Sequence, residues 1–93
     1  MEVLTLRDGL EMYMEPYNGK VRIVIQRDKA DFVCRMETLG NLKEFVALKE
    51  AKIFKGRLQL YKEEGLINVI VKNKAAGIVD EGSFEKCLDE VKW

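Results

Sequence analysis

Residues 8–30 read DGLEMYMEPYNGKVRIVIQRDKA, and the rest of the chain is interpreted outward from them. Asn18-Gly19 lies between two alternating segments. Leu10, Met12 and Met14 share one side of the first, with Glu11, Tyr13 and Glu15 opposite. Val21, Ile23 and Ile25 share one side of the second, against Arg22, Val24 and Gln26. A period of two sends successive side chains to opposite faces of a strand, so both segments are predicted as half-buried strands. Asn-Gly supplies the two positive φ angles of a type I′ hairpin turn, and Asp8-Gly9 does the same one segment earlier. Asp28–Ala30 makes a third turn. The expectation is an antiparallel meander of Glu2–Arg7, Leu10–Glu15, Lys20–Arg27 and a fourth strand, in which Phe32, Cys34 and Met36 continue the buried set.

C-terminal to this meander the period changes. Asn41 can cap a helix, with Glu44 as the second half of a capping box. Leu42, Phe45 and Val46 then recur at helical spacing, and the helix is predicted to end near Ala51, with Ile53 on the same face. Strand periodicity returns at Leu58 and Leu60, turns at Glu63–Gly65 and resumes in Ile67, Val69 and Val71. Gly77–Val79 is predicted as a short edge strand. Ser83 is the expected cap of a last helix with Phe84, Cys87, Leu88 and Val91 on one face. Asp80, Glu81 and Glu85 suit its positive end, and Lys92 its negative end.

The predicted fold class is therefore α+β, one domain over residues 1–93. It has an antiparallel sheet of about six or seven strands in the order ββββ-α-ββ(β)-α, two helices on one face and the other face open to solvent. VRIVIQRDKADFVCRM (21–36) and GRLQLYKEEGLINVIV (56–71) echo one another as hairpins, matching Arg22 with Arg57, Ile23 with Leu58 and Ile25 with Leu60. Each precedes a helix, which is compatible with a duplicated ββα unit, although hairpins also resemble one another on physical grounds alone.

The 93 residues carry 16 basic and 16 acidic side chains, 47% are hydrophobic, and net charge is zero. No global field draws such a chain to nucleic acid or membrane. Charge is uneven locally: Lys43–Lys62 is basic and Asp80–Trp93 acidic. No apolar run approaches the roughly 20 residues needed to span a bilayer, and no basic, apolar leader opens the chain. Two cysteines without CxxC spacing suggest a reduced, cytoplasmic setting.

Catalytic chemistry is poorly supplied. Histidine, the commonest general base and metal ligand, is absent. Gly56, Gly65, Gly77 and Gly82 form no phosphate-binding loop, and Thr5, Thr38 and Ser83 sit in no nucleophile turn. Cys34 and Cys87 are expected to be small buried hydrophobes. Glu63-Glu64 and Asp80-Glu81 lack the converging oxygens of a cation site, so no metal or cofactor is expected. The basic run, Lys62 included, is expected to be a solvated face.

The open sheet face is the main candidate site. Strand alternation turns Tyr13, Arg22, Val24, Val33, Arg35, Arg57, Tyr61 and Ile70 outward. Of these, Tyr13, Arg22, Val24, Arg35, Arg57 and Tyr61 are the predicted binding residues, because aromatic side chains and Arg are enriched at binding hot spots. The function expected is a non-catalytic protein-interaction or regulatory domain, of adaptor or inhibitor type, that binds a protein partner through this face or an edge strand. A homodimer is compatible with that reading. The alternatives are weak nucleic-acid binding through the same Arg and Tyr residues, and a carboxylate-based enzyme.

Overall fold

A computed structural model describes residues 2–91; Lys92, expected at the negative end of the last helix, lies outside them. The chain is α+β, and its strands form two sheets rather than one. The first sheet contains β1 (Val3–Thr5), β2 (Leu10–Tyr17), β3 (Lys20–Arg27) and β4 (Ala30–Glu37), followed by α1 (Leu39–Ala47). The second contains β5 (Glu50–Ile53), β6 (Leu58–Glu63), β7 (Leu66–Val71) and β8 (Lys74–Asp80), followed by α2 (Glu81–Asp89). Each sheet is an antiparallel meander with its strands in chain order.

The turns explain the meanders. Asp8-Gly9, Asn18-Gly19 and Glu64-Gly65 have positive φ at both positions, as a type I′ turn requires, and so do Asp28-Lys29 and Lys72-Asn73. The last of these was not anticipated from the sequence. Asn tolerates the left-handed region, which lets β8 begin at Lys74 and run seven residues. The final hairpin of each sheet carries a β-bulge at the same place. Ile25 pairs with Val33 and Gln26 with Asp31, leaving Phe32 extra; Val69 pairs with Gly77 and Ile70 with Ala75, leaving Ala76 extra. A bulge inserts one residue and so reverses the alternation beyond it. Val33 therefore points inward and is buried, while Cys34 and Met36 are exposed, correcting the expected phase of β4.

The unit β-β-β-β-α thus occurs twice. The hairpin β2–β3 corresponds to β6–β7, so the echo between 21–36 and 56–71 was one strand out of step: it set β3–β4 against β6–β7. Lengthening the repeat to four strands follows from β5, which the sequence reading assigned to the end of the first helix. Ala51 pairs with Lys62 and Ile53 with Leu60, so cross-strand pairing takes Ile53 into the sheet. The helix already stops at Ala47, where Leu48 turns extended.

Both helix caps precede the positions predicted. The Thr38 hydroxyl accepts from the Asn41 amide at 3.2 Å, and the Asp80 carboxylate accepts from the Ser83 amide at 2.9 Å and its hydroxyl at 2.8 Å. The Ser83 hydroxyl and amide hold Asp80 below the usual carboxylate range, and the Thr38 amide with Asn41 does the same for Glu37. Their depressed folded values add stability above the ordinary carboxylate range and lose it as pH falls.

The inner faces of the two sheets and one side of each helix form one hydrophobic core. Met12, Ile23, Ile25, Leu42, Leu58, Leu60, Ile67, Val69 and Phe84 are fully buried in it, and Phe45 meets Phe84 edge to face with centroids 6.0 Å apart. The sheets also meet at two seams. The Arg7 amide donates to the Ala76 carbonyl at 2.7 Å. Beside that bond Gly77, at φ 155°, lies so close to Leu6 that a Cβ would fall 2.9 Å from its Cδ2. At the other seam, the Arg35 guanidinium donates to the Lys55 carbonyl at 2.6 Å and lies over the Phe54 ring.

Candidate interaction surface

The inner faces are committed to the core, so the exposed chemistry lies on the outer faces, the seams and the groove between the helices. Register defines the two outer faces. On the first sheet, Tyr13, Val24 and Cys34 lie in one row and Glu15, Arg22 and Met36 in the next. Arg22 bonds Glu15 at 2.6 Å and Asp31 at 3.0 Å. Those two hydrogen bonds raise the guanidinium pKa and hold it charged. Gln26 donates to Glu11 at 3.2 Å, and the Tyr13 hydroxyl makes a long 3.5 Å approach to Asp31. Burial, followed by the Asp31 and Glu15 charges, pushes the Tyr13 hydroxyl above its ordinary range. This network covers Val24, which is 0% exposed although its backbone faces outward. Val24 therefore offers no contact surface, correcting its expected exposure.

On the second sheet the rows read Glu50, Glu63, Leu66 and Asp80; then Lys52, Tyr61, Asn68 and Ile78; then Gln59, Ile70 and Ala75. Leu66 is 44% exposed and Ile78 52%, with Tyr61 and Ile70 half-buried beside them. Tyr61 donates to Glu50 at 2.8 Å, and that bond pushes its hydroxyl up to about 12. No comparable charge network covers the apolar residues. Exposed apolar side chains that are contiguous, rather than scattered singly, mark interaction surfaces.

The predicted binding residues therefore do not form one surface. Tyr13, Arg22 and Val24 lie on the outer face of the first sheet. Arg35 occupies an inward position on β4 and closes a seam. Arg57 is exposed in the bend before β6, and Tyr61 lies on the outer face of the second sheet. Of the two further outward residues expected, Ile70 faces out and Val33 faces in. Leu66 and Ile78 were missed. The signal for Leu66 was in the run LINVIV, where both alternating sets are largely apolar; Ile78 needed the bulge at Ala76 to fix its phase.

Lys62 corrects the expectation of a solvated basic face. It follows Leu58 and Leu60 on the inner side of β6 and is 3% exposed. Its ammonium donates to the Val46 carbonyl near the end of α1 and pairs with Glu81 at 2.6 Å at the start of α2. Buried charge is tolerated only when paired and hydrogen-bonded, and here the pair ties both helices to the second sheet. The cysteines divide. Cys87 is buried, and burial pushes its thiol up to about 11; Cys34 is exposed, against expectation.

Two of the clefts border the seams and the helices. One of about 250 Å³ lies at a seam, where Arg27 and Lys72 lie over the Phe32 ring and Asp8 shares the lining. The other, about 200 Å³, runs between α1 and α2 and is lined by Val46, Leu88, Lys43 and Glu85. Among the described residues, no three His, Cys, Asp or Glu side chains gather as a metal ion would require, and no helix is long and apolar enough to cross a membrane. No protein-family model, curated protein or solved structure matches the chain.

Proposed function

We propose that this chain is a small non-catalytic interaction domain that binds a protein partner through the outer face of β5–β8. One observation carries the reading. Leu66 and Ile78 stand 44% and 52% exposed beside Tyr61 and Ile70, on a face rimmed by charge. An apolar centre with a polar rim is the anatomy of a protein interface, and a tyrosine in its centre is a frequent hot spot. The first sheet supports this choice by contrast: its outer Arg and Glu side chains satisfy one another, and its exposed Val3 and Met36 stand on opposite edge strands with that network between them. Nucleic-acid binding has less support. Arg22 is neutralised by two carboxylates and Arg35 is committed to a seam, so the arginines form no continuous positive track of the kind phosphate backbones need.

The test is a photoreactive benzoylphenylalanine placed at Ile78 and, separately, at Glu85 on the exposed side of α2, in the cell that makes the protein. The expected result is a protein adduct from position 78 and none from position 85. Adducts from position 85 alone, or from neither position, would overturn the reading.

A further inference from the structure

At the seam cleft around Phe32, cations stand at strand positions that elsewhere feed the core. The alternation that buries Val21, Ile23 and Ile25 carries Arg27 to the same side of β3. Lys74 likewise pairs with Val71, whose side chain is buried. Phe32 and Ala76, the bulged residues of the two sheets, both line this cleft. A bulge re-aims a side chain and is frequent beside functional sites. Here the Phe32 ring lies under two cations, with Lys72 Nζ 4.0 Å and the Arg27 guanidinium carbon 5.1 Å from its centroid. Lys72 holds φ 50° in a type I′ turn, at a position where Asn, Asp or Gly is preferred. Backbone preference therefore does not account for a lysine there. With Lys74, three cations border about 250 Å³ above a floor of buried Leu10, Val71 and Ala76. Asp8 supplies the carboxylate of the lining, and among the described residues neither it nor the three cations are in an ion pair.

Like charges gathered around one ring repel one another, and the ring face offsets this for only two of them. An anion seated among them removes the repulsion and gains charge-assisted hydrogen bonds. We infer that this cleft binds a phosphate monoester. Three cations against one carboxylate leave an excess of two positive charges, which matches the charge of about −1.5 to −2 on such a group near neutral pH. A carboxylate, with one charge and two oxygens, would leave a cation unmatched. Arg27 offers a planar fork to two phosphate oxygens, and the two lysines act as point charges on the others. The apolar floor keeps water from one side of the anion and so strengthens each ionic contact. Size limits the rest of the ligand. The cleft is smaller than the roughly 300–1,000 Å³ of pockets that hold larger organic molecules, so it suits a phosphate on a short stem and not a whole nucleotide. None of Tyr61, Leu66, Ile70 and Ile78 lines the cleft, and the inference stands independently of the interaction reading above.

The experiment is a calorimetric titration of the purified chain at constant ionic strength in chloride. The probes are glycerol phosphate, a short phosphoserine peptide and acetate. Glycerol phosphate should bind at one site with a Kd of about 1 mM or tighter, and acetate at least about tenfold more weakly. Arg27→Gln and Lys72→Asn each remove one positive charge from the cleft and should weaken phosphate binding about tenfold or more. Asn suits the left-handed turn, so Lys72→Asn should melt no lower than wild type, and its loss of binding is not a loss of fold. Lys52→Gln makes the same change of charge on the outer face of β5 and should bind as wild type does. The two phosphorylated probes separate the sources of the group. Equal affinities identify a free ester, and a tenfold preference for the peptide identifies a phosphorylated protein; either supports the site. Absence of saturable binding by both phosphorylated probes overturns the inference. So does acetate binding equal to that of glycerol phosphate, or a loss in Lys52→Gln equal to that in the cleft variants.

Discussion

The two sheets have the same strand order, the same geometry in their last two turns and a bulge at the same place, yet their outer faces differ. In the first, Arg22 lies between Glu15 and Asp31, Gln26 reaches Glu11, and the valine beneath them is sealed from water. In the second, the corresponding area presents Leu66, Ile70 and Ile78 beside Tyr61, with Lys52 on the edge strand and carboxylates in the row of Leu66. The shared inner face is what the fold requires, because both sheets must bury apolar side chains in one core. The outer faces are free of that demand. On the first, exposed Val3 and Met36 stand apart on the two edge strands; on the second, Leu66 and Ile78 are diagonal neighbours on adjacent strands, an apolar surface that costs free energy in water unless something covers it.

The equivalence of the inner faces can be broken most sharply by placing a charge in each. Ile23→Asp and Val69→Asp both bury an unpaired carboxylate, at a cost of several kcal/mol against a small total stability. Both variants should be unfolded at room temperature by circular dichroism. If one melts like wild type, the two sheets do not share a core. A smaller effect separates the units at Lys62, for which the first sheet has no counterpart. Glu81→Gln leaves the buried ammonium without its counter-charge and should lower stability by about 2 kcal/mol in a denaturant titration. Lys62→Met, which removes the charge and keeps the stem, should cost less than Glu81→Gln; the reverse order would mean the ammonium is solvated. The smallest perturbation leaves stability untouched and reads inner against outer face by thiol chemistry. Cys34 should react with a thiol reagent in native protein as fast as a free cysteine, whereas Cys87 should react only on unfolding. Because Cys87 ionises only near pH 11 when folded, against an ordinary value of 9.0, its contribution is complete below pH 9 and fades as pH rises toward 11. Equal labelling of the two thiols would put Cys87 at the surface.

The hairpins at Asn18-Gly19 and Glu64-Gly65 were legible because turn residue and alternation agree within a few positions. The core residues of β2, β3, β6 and β7 followed from the same agreement, and Leu42, Phe45, Phe84 and Leu88 from helical spacing. The errors had local causes. A capping box centred on Asn41 competed with Thr38, three residues earlier. Lys62 was grouped with its charged neighbours although its spacing from Leu58 and Leu60 put it on the buried side. The bulges at Phe32 and Ala76 leave no compositional mark; the first moved Val33, Cys34 and Met36 to the faces opposite those expected, and the second set the phase of Ile78.

Sequence by itself determined the α+β class, the order of the first meander, two amphipathic helices and the absence of histidine, because each depends on composition or on neighbours a few residues apart. Only the tertiary structure decided that the strands divide into two sheets, that Arg35 closes a seam, that Lys62 is buried against Glu81, and that Val24 is sealed while Leu66 and Ile78 stay exposed. Those outcomes depend on pairings between residues distant in the chain. A period of two says that a strand has two faces; it takes the packing of the whole molecule to say which of them water will see.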